Sequence, residues 1–346
     1  MKIQTTKLLE ALSTLNNAVT YDITKPKYSF IELSVTDGHL YGYTNNDRIA
    51  INVDIDECSE EFEATVDFNT LYNIIKSIDN DEVTLKIHKN NLVVTSASMK
   101  IKVNIIRKAP KPGSTEVEDI IRKMRIKCDT FDNTIDFSSL SNYTSLIKSI
   151  LRLDLVIECY RHVYFNECIL FTDTDNAILI DDNILPHNIL LSYESINILS
   201  KLKEANYTIK EDKLFVQSNN TKYAIKLPKI DDYQYDDFIN LFNESFTDKC
   251  SIDGNELANA LKLSNNLAYS NIYITFNDKG VFLEIPQVEF MYKISDDTCT
   301  EAHYRINKDL LKKLLITKEN FDLYYSNPKL IKIEYNNITG IFSLEE

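Results

Sequence analysis

The stretch FNTLYNIIKSI, Phe68 to Ile78, is answered by YESINILSKLK at 193–203 and by NKDLLKKLLITK at 307–318, and this threefold return decides the fold. Each stretch spaces its apolar residues as an amphipathic helix does, and each is followed by three short strands separated by turn residues. The strands are EVTLKI, NLVVTS and MKIKVNII after the first, YTIKE, KLFVQS and TKYAIKLP after the second, and FDLYYS, KLIKIEY and TGIFSL after the third.

Upstream of the first and third copies lies a second kind of helix. Thr5 to Val19 carries Leu8, Leu9, Leu12, Leu15 and Val19 on one face, and IDGNELANALKLSNNLA carries Ile252, Leu257, Leu261 and Leu267. Both contain Ala-Leu, three residues, then Asn-Asn: Ala11 to Asn17 and Ala260 to Asn266. Alternating strands follow, YSFIELSV (28–35), HLYGYT (39–44) and RIAINVD (48–54) in the first case and NIYITFND, VFLEIP and VEFMYKIS in the third. The middle segment is less regular, with its first helix expected within Phe137 to Leu151 and its strands starting near His162. Breaker-rich linkers at 109–120 and 227–238 separate the copies. The expectation is an α+β chain of three repeated units, 1–118, 119–244 and 245–346, each with two helices and antiparallel sheets.

Composition narrows the function. At 346 residues the chain exceeds one core, and 44% hydrophobic with 26% charged residues suits a globular protein. A net charge of −14 excludes a protein that coats nucleic acid by bulk attraction, so any DNA contact must be local. The helical stretches nevertheless hold more Lys and Arg than acids, which leaves the rest of the chain strongly acidic. Abundant Asn, Ile, Lys and Tyr with no Trp points to an AT-rich source, a low-GC bacterium or its phage.

Catalytic signals are missing. The six glycines form no phosphate-binding loop, the five histidines are scattered, and the six cysteines form no CxxC. They read as reduced thiols. Asp173 and Asp175, Asp181-Asp182, Asp231-Asp232 and Asp236-Asp237 could hold a metal, but Asp at such places more often closes a turn. The expectations are a non-enzyme with no cofactor and no metal. Without a signal peptide or a long apolar run, a cytoplasmic protein with no membrane contact is expected.

This order of elements, from Met1-Lys-Ile and the LLEAL helix to the C-terminal ITGIFSLEE, resembles the bacterial DNA polymerase III sliding clamp, the beta subunit, along the whole chain. The resemblance implies a head-to-tail homodimer whose six domains close into a ring around double-stranded DNA, with helices lining the hole. It also implies a replicative DNA polymerase and a clamp loader ATPase as partners. Residues that would face DNA are Lys25, Lys27, Lys76, Lys148, Arg152, Lys201, Lys203, Lys262, Lys308, Lys312 and Lys313. Where the family commonly has a basic residue after the first helix this chain has Asp22, with Lys25 and Lys27 as substitutes.

A hydrophobic peptide pocket is implied at Leu170, Thr172 and Ile178, at Phe238, Leu241 and Phe242, and at Ile341, Phe342, Ser343 and Leu344. The family's Thr-Asp-Gly-His-Arg-Leu turn is replaced by Thr172-Asp-Thr-Asp-Asn-Ala-Ile178. For ring closure, Ile101 and Val103 are expected to pair with Ile272, Tyr273 and Ile274 of a second copy. Two other readings stay open: a clamp mimic that sequesters polymerase without encircling DNA, and a metal-dependent nuclease built on the Asp pairs.

Overall fold

The computed structural model describes residues 1–22, 24, 26–106, 128, 130–152, 154–229, 233–267, 269, 271–314, 319–326 and 329–344. They form two compact units, one of residues 1–136 with 202–227 and the other of 137–201 with 228–346.

Seven α-helices are described: α1 (Thr5–Leu15), α2 (Phe68–Lys76), α3 (Thr144–Ile150), α4 (Tyr193–Leu199), α5 (Tyr235–Phe242), α6 (Gly254–Ser264) and α7 (Lys308–Leu314). The strands, numbered along the chain, begin with β1 (Lys2–Gln4), β2 (Phe30–Thr36), β3 (His39–Asn45), β4 (Ile49–Glu57), β5 (Glu63–Asp67), β6 (Glu82–His88), β7 (Asn91–Thr95), β8 (Lys100–Asn104) and β9 (Asn133–Ile135). They continue with β10 (His162–Phe165), β11 (Ile169–Thr172), β12 (Asn176–Ile180), β13 (Ile189–Ser192), β14 (Ala205–Lys210), β15 (Lys213–Ser218) and β16 (Thr221–Lys226). The last are β17 (Asp248–Ile252), β18 (Asn271–Asn277), β19 (Gly280–Ile285), β20 (Phe290–Ser295), β21 (Ala302–Asn307), β22 (Phe321–Tyr325), β23 (Leu330–Tyr335) and β24 (Ile338–Ser343).

Local chemistry sets the helix starts. Asp67 accepts from the Thr70 amide at 2.8 Å to cap α2, Ser192 accepts from the Ser195 amide at 3.2 Å to cap α4, and Asp253 accepts from the Asn255 and Glu256 amides at 2.8 and 3.2 Å to cap α6. The helices are shorter than their sequence stretches, because α2 stops at Lys76 and α4 at Leu199. Helix α5 lies in a stretch expected to be a linker. Beyond the proline at its start, Phe238, Leu241 and Phe242 are spaced to bury one helical face.

Among the described residues each unit contains one eight-stranded and one four-stranded sheet, all pairings being antiparallel. In the first unit the orders are β5-β2-β3-β4-β16-β15-β14-β9 and β1-β6-β7-β8. In the second they are β13-β10-β11-β12-β24-β23-β22-β17 and β20-β19-β18-β21. Each large sheet is thus two sets of four joined at a seam, β4 on β16 and β12 on β24. The three-unit boundaries read from the sequence remain a proposal.

Each small sheet has two end strands with one described neighbour, β1 and β8 in the first and β20 and β21 in the second. Ile101 and Val103 lie on β8. The other half of the expected pairing is corrected here. Ile272, Tyr273 and Ile274 sit on β18, which is hydrogen-bonded to β19 on one side and β21 on the other and so has no edge to offer.

Candidate functional site

The second seam carries the candidate peptide site, and its register sorts the expected pocket residues onto two faces. Ala177 lies opposite Ile341, Ile178 opposite Gly340 and Asn176 opposite Phe342. Because neighbouring side chains on a strand point to opposite faces, Ala177 and Ile341 share one side with Leu170, while Ile178 and Phe342 share the other. Leu170, Ala177, Phe242 and Ile341 belong to one core cluster, against which Phe238 and Leu241 pack. Phe342 instead crosses over Gly340, where a Cβ would come within 2.5 Å of its ring. Ile178 and Phe342, both buried, therefore do not belong to the same surface as Phe238 and Leu241.

Sequence reasoning missed the aromatic half of this cluster. Tyr164 stacks on Tyr233 with centroids 5.2 Å apart, Tyr160 meets Tyr233 edge-on at 5.5 Å, and Tyr160 meets Phe238 edge-on at 5.6 Å. The Tyr160 hydroxyl donates to Gln234 Oε1 at 3.1 Å and the Tyr233 hydroxyl to the Leu170 carbonyl at 3.4 Å. Burial pushes the Tyr233 hydroxyl well above its ordinary pKa, and pushes the neighbouring Cys168 thiol up as well. At the end of α5, Lys332 Nζ donates to the Phe242 carbonyl at 3.4 Å, a cation on a helix C-terminus. The segment 233–242 thus fills much of the cleft with its own rings. The half-buried rim, formed by Leu155, Leu179, Phe238, Leu241 and Leu330, remains accessible. Ser343 and Leu344 are also half-buried, and their amides donate to the Asp175 and Lys329 carbonyls at 3.2 and 2.8 Å. The signal for the missed residues was the tyrosine density of 160–164 and 233–235.

The altered turn is built around Asp173. This buried carboxylate accepts from the Asp175 amide at 3.2 Å, the Asn176 amide at 2.8 Å and Asn176 Nδ2 at 2.8 and 3.0 Å. Thr172 Oγ1 donates to the Asn176 carbonyl at 2.7 Å and accepts from the Thr174 amide at 2.9 Å. Asp173 and Thr172 are consumed in holding the turn, as Asx and hydroxyl turns do. Thr172 is accordingly fully buried and not on the accessible rim.

The candidate DNA-facing residues fall into three groups. Lys76, Lys148, Lys201, Lys203 and Lys262 are exposed, the last on α6 and Lys148 on α3, while Lys201 and Lys203 lie just past the end of α4. Within the second unit α3 packs against α4 and α7, and α7 against α6, so these helices form one layer. A second group is engaged: Arg152 Nη2 meets Asp154 at 3.2 Å, Lys312 meets Asp309 at 2.9 Å, and Lys27 lies over the Tyr28 ring at 5.0 Å. The Arg152 guanidinium holds the Asp154 carboxyl below its ordinary range.

The third group is a correction. Lys308 is buried, and its Nζ donates to the Ser264 and Leu267 carbonyls at 3.2 and 3.4 Å. It neutralises the C-terminal end of α6 and cannot face DNA. Lys25 and the side chain of Lys313 lie outside the described residues. Asp22 accepts from the Thr24 amide at 2.8 Å and from Thr24 Oγ1 at 2.6 Å, closing the turn after the first helix. Among the described residues no helix is long and apolar enough to cross a membrane.

Residues 1–109 match the family model of the DNA polymerase III beta subunit, N-terminal domain. No curated protein matches the sequence. Among solved structures, the chain superposes on the DNA polymerase III beta chain of Streptococcus pneumoniae with a TM-score of 0.84 at 14% identity, covering 100% of this chain and 99% of that one. A putative DNA polymerase III beta subunit from Eubacterium rectale gives 0.83 at 14%, with the same coverage. The Helicobacter pylori beta clamp, bound to a DNA ligase peptide, gives 0.78 at 14%, again covering 100% and 99%. These likenesses establish the fold of the whole chain.

Proposed function

We propose that this protein is a DNA sliding clamp: a non-enzymatic processivity subunit that closes around duplex DNA as a pair of copies and holds polymerase to it. The observation that carries the reading is the repeated seam. Twice within the chain a four-strand set is completed by another, β4 by β16 and β12 by β24. Among the described strands two sets are left without such a partner; in the order of the repeat β8 holds the place of β16 and β20 the place of β4, and joining β8 of one copy to β20 of a second repeats the same join. Around β20 the surface is apolar as an interface requires: Met291 is 63% exposed, and Leu263, on the helix that packs against β20, is 51% exposed.

The beta-subunit match of residues 1–109 and the full-length likeness to clamps support the same reading. Exposed Lys76, Lys148 and Lys262 supply delocalised attraction to phosphate, which permits sliding because no base is read. The apolar rim at Phe238 and Leu241 is the site for peptides of polymerase, loader and other partners, as the ligase peptide on the Helicobacter pylori clamp suggests.

Linkage to DNA tests this. Copies carrying Lys102→Cys and Lys293→Cys, bridged by a flexible bis-maleimide in the presence of a circular plasmid, should resist high salt and be released when the plasmid is cut. Release by salt from the intact circle would refute encirclement and favour a mimic.

A further inference from the structure

The charge around the apolar rim says what kind of segment it takes. Phe238 and Leu241 belong to α5, whose first turn presents exposed Asp236 and Asp237. Across the cluster, the loop that carries rim residue Leu155 continues into Val156, 95% exposed, and Ile157, 49% exposed, and is bounded by exposed Asp154 and Glu158. Asp175, also exposed, closes the turn before β12.

Three separate elements therefore surround one apolar surface with carboxylates. The cations nearby offset only part of this charge: the five exposed carboxylates Asp154, Glu158, Asp175, Asp236 and Asp237 stand against Arg152, Arg161 and the exposed Lys329 beside Leu330, while Lys332 is matched by Glu334. Arg152 is held by Asp154 through Nε at 3.3 Å and Nη2 at 3.2 Å, and Arg161 Nε donates to the Leu155 carbonyl at 2.6 Å. Lys332 is bound to the Phe242 carbonyl at 3.4 Å and to Glu334 at 2.7 Å.

We propose that this surface takes a linear segment whose hydrophobic anchors are flanked by lysine or arginine. The inference rests on the peptide-site reading and adds the sign of charge to it. Two hydrophobic contributions are available. The half-buried rim offers anchor sites without unpacking the tyrosine cluster, and Val156 with Ile157 offers an apolar surface that a soluble chain seldom leaves in water. The carboxylates then choose among apolar segments. A basic flank meets complementary potential, whereas an acidic flank brings like charges together within a Debye length of about 8–10 Å at ordinary salt. The discrimination is therefore electrostatic, and salt should erode it.

Three fluorescent peptides test this. They share a central core of two leucines and a phenylalanine and differ only in flanks of Lys-Arg, Ser-Ser or Asp-Glu. On the full chain at low salt, the basic peptide should bind about tenfold tighter than the acidic one, and the gap should close as salt rises. Asp236→Lys with Asp237→Lys should invert the order, with an unchanged circular dichroism spectrum confirming the fold. Equal affinities for all three peptides, weakened together by Leu241→Ala, would overturn the charge preference and leave the peptide site standing. No binding by any peptide, or binding indifferent to Leu241→Ala, would overturn both.

Discussion

The two eight-stranded sheets share an architecture and differ in what is mounted on the seam. In the first, Ile51 faces Tyr223, Ala50 faces Ala224 and Ile49 faces Ile225, and Asn220 Nδ2 ties the end to the Asp54 carbonyl at 2.7 Å. In the second, Ile178 faces Gly340 and Asn176 faces Phe342, a buried carboxylate holds the adjoining turn, and a helix with a tyrosine cluster lies against one face. The seam is a structural joint in both; the second has been equipped as a candidate binding surface. The proposed peptide site lies in what is added to the joint, and not in the joint itself.

The largest effect expected from breaking this contrast is that of Phe342→Ala. Phe342 is fully buried on the face away from the rim, so its loss should cost about 3–5 kcal/mol of stability, read from denaturant midpoints. A variant that stays stable but loses peptide affinity would instead place Phe342 in the site. Gly340→Ala should destabilise by about 1–3 kcal/mol, because the added methyl meets the Phe342 ring, whereas Ala224→Gly on the plain seam should cost about 1 kcal/mol or less.

Asp173→Ala strips acceptors from the Asp175 and Asn176 amides and should cost about 1–3 kcal/mol, measured by thermal melting. The smallest effect is a pH dependence. Burial pushes Tyr223 up to about 12 and Tyr233 well above its ordinary value, while both titrate near about 10 when unfolded. Their stabilisation is complete below pH of about 10 and lost as pH rises through the folded values. Melting temperature should hold steady below that point and fall above it. Tyr233→Phe should moderate the fall in the transition of the second unit, and Tyr223→Phe in that of the first.

Much of the fold was legible because the helix-plus-three-strands motif repeats, and periodicity survives local irregularity. Alternation identified β6, β7 and β8 and their later counterparts. What it could not identify was which strand ends a sheet. Ile272, Tyr273 and Ile274 look like an edge in sequence, since an interior and an edge strand can carry the same pattern. The site was legible in location and not in face: Ile341 and Phe342 are adjacent in the chain but separated by the sheet. Lys308 differed from Lys312 in nothing the sequence displays, because the carbonyls that bind it belong to a helix more than forty residues away. Helix α5 was hidden behind the proline that starts its stretch, although its apolar spacing was visible.

The proposed ring closes where β8 of one copy joins β20 of another. The Met99 carbonyl accepts from the Ser96 amide at 2.8 Å and the Ile105 amide donates to the Asn90 carbonyl at 2.9 Å, both on the β7 side, so alternation turns the Lys102 amide to the open edge. Lys102→Pro removes that donor without touching the internal ladder. Sedimentation equilibrium at micromolar concentration should give twice the chain mass of 40.0 kDa for the natural protein and a single chain for Lys102→Pro. A natural protein that sediments as one chain, or a proline variant that remains paired, would contradict this closure.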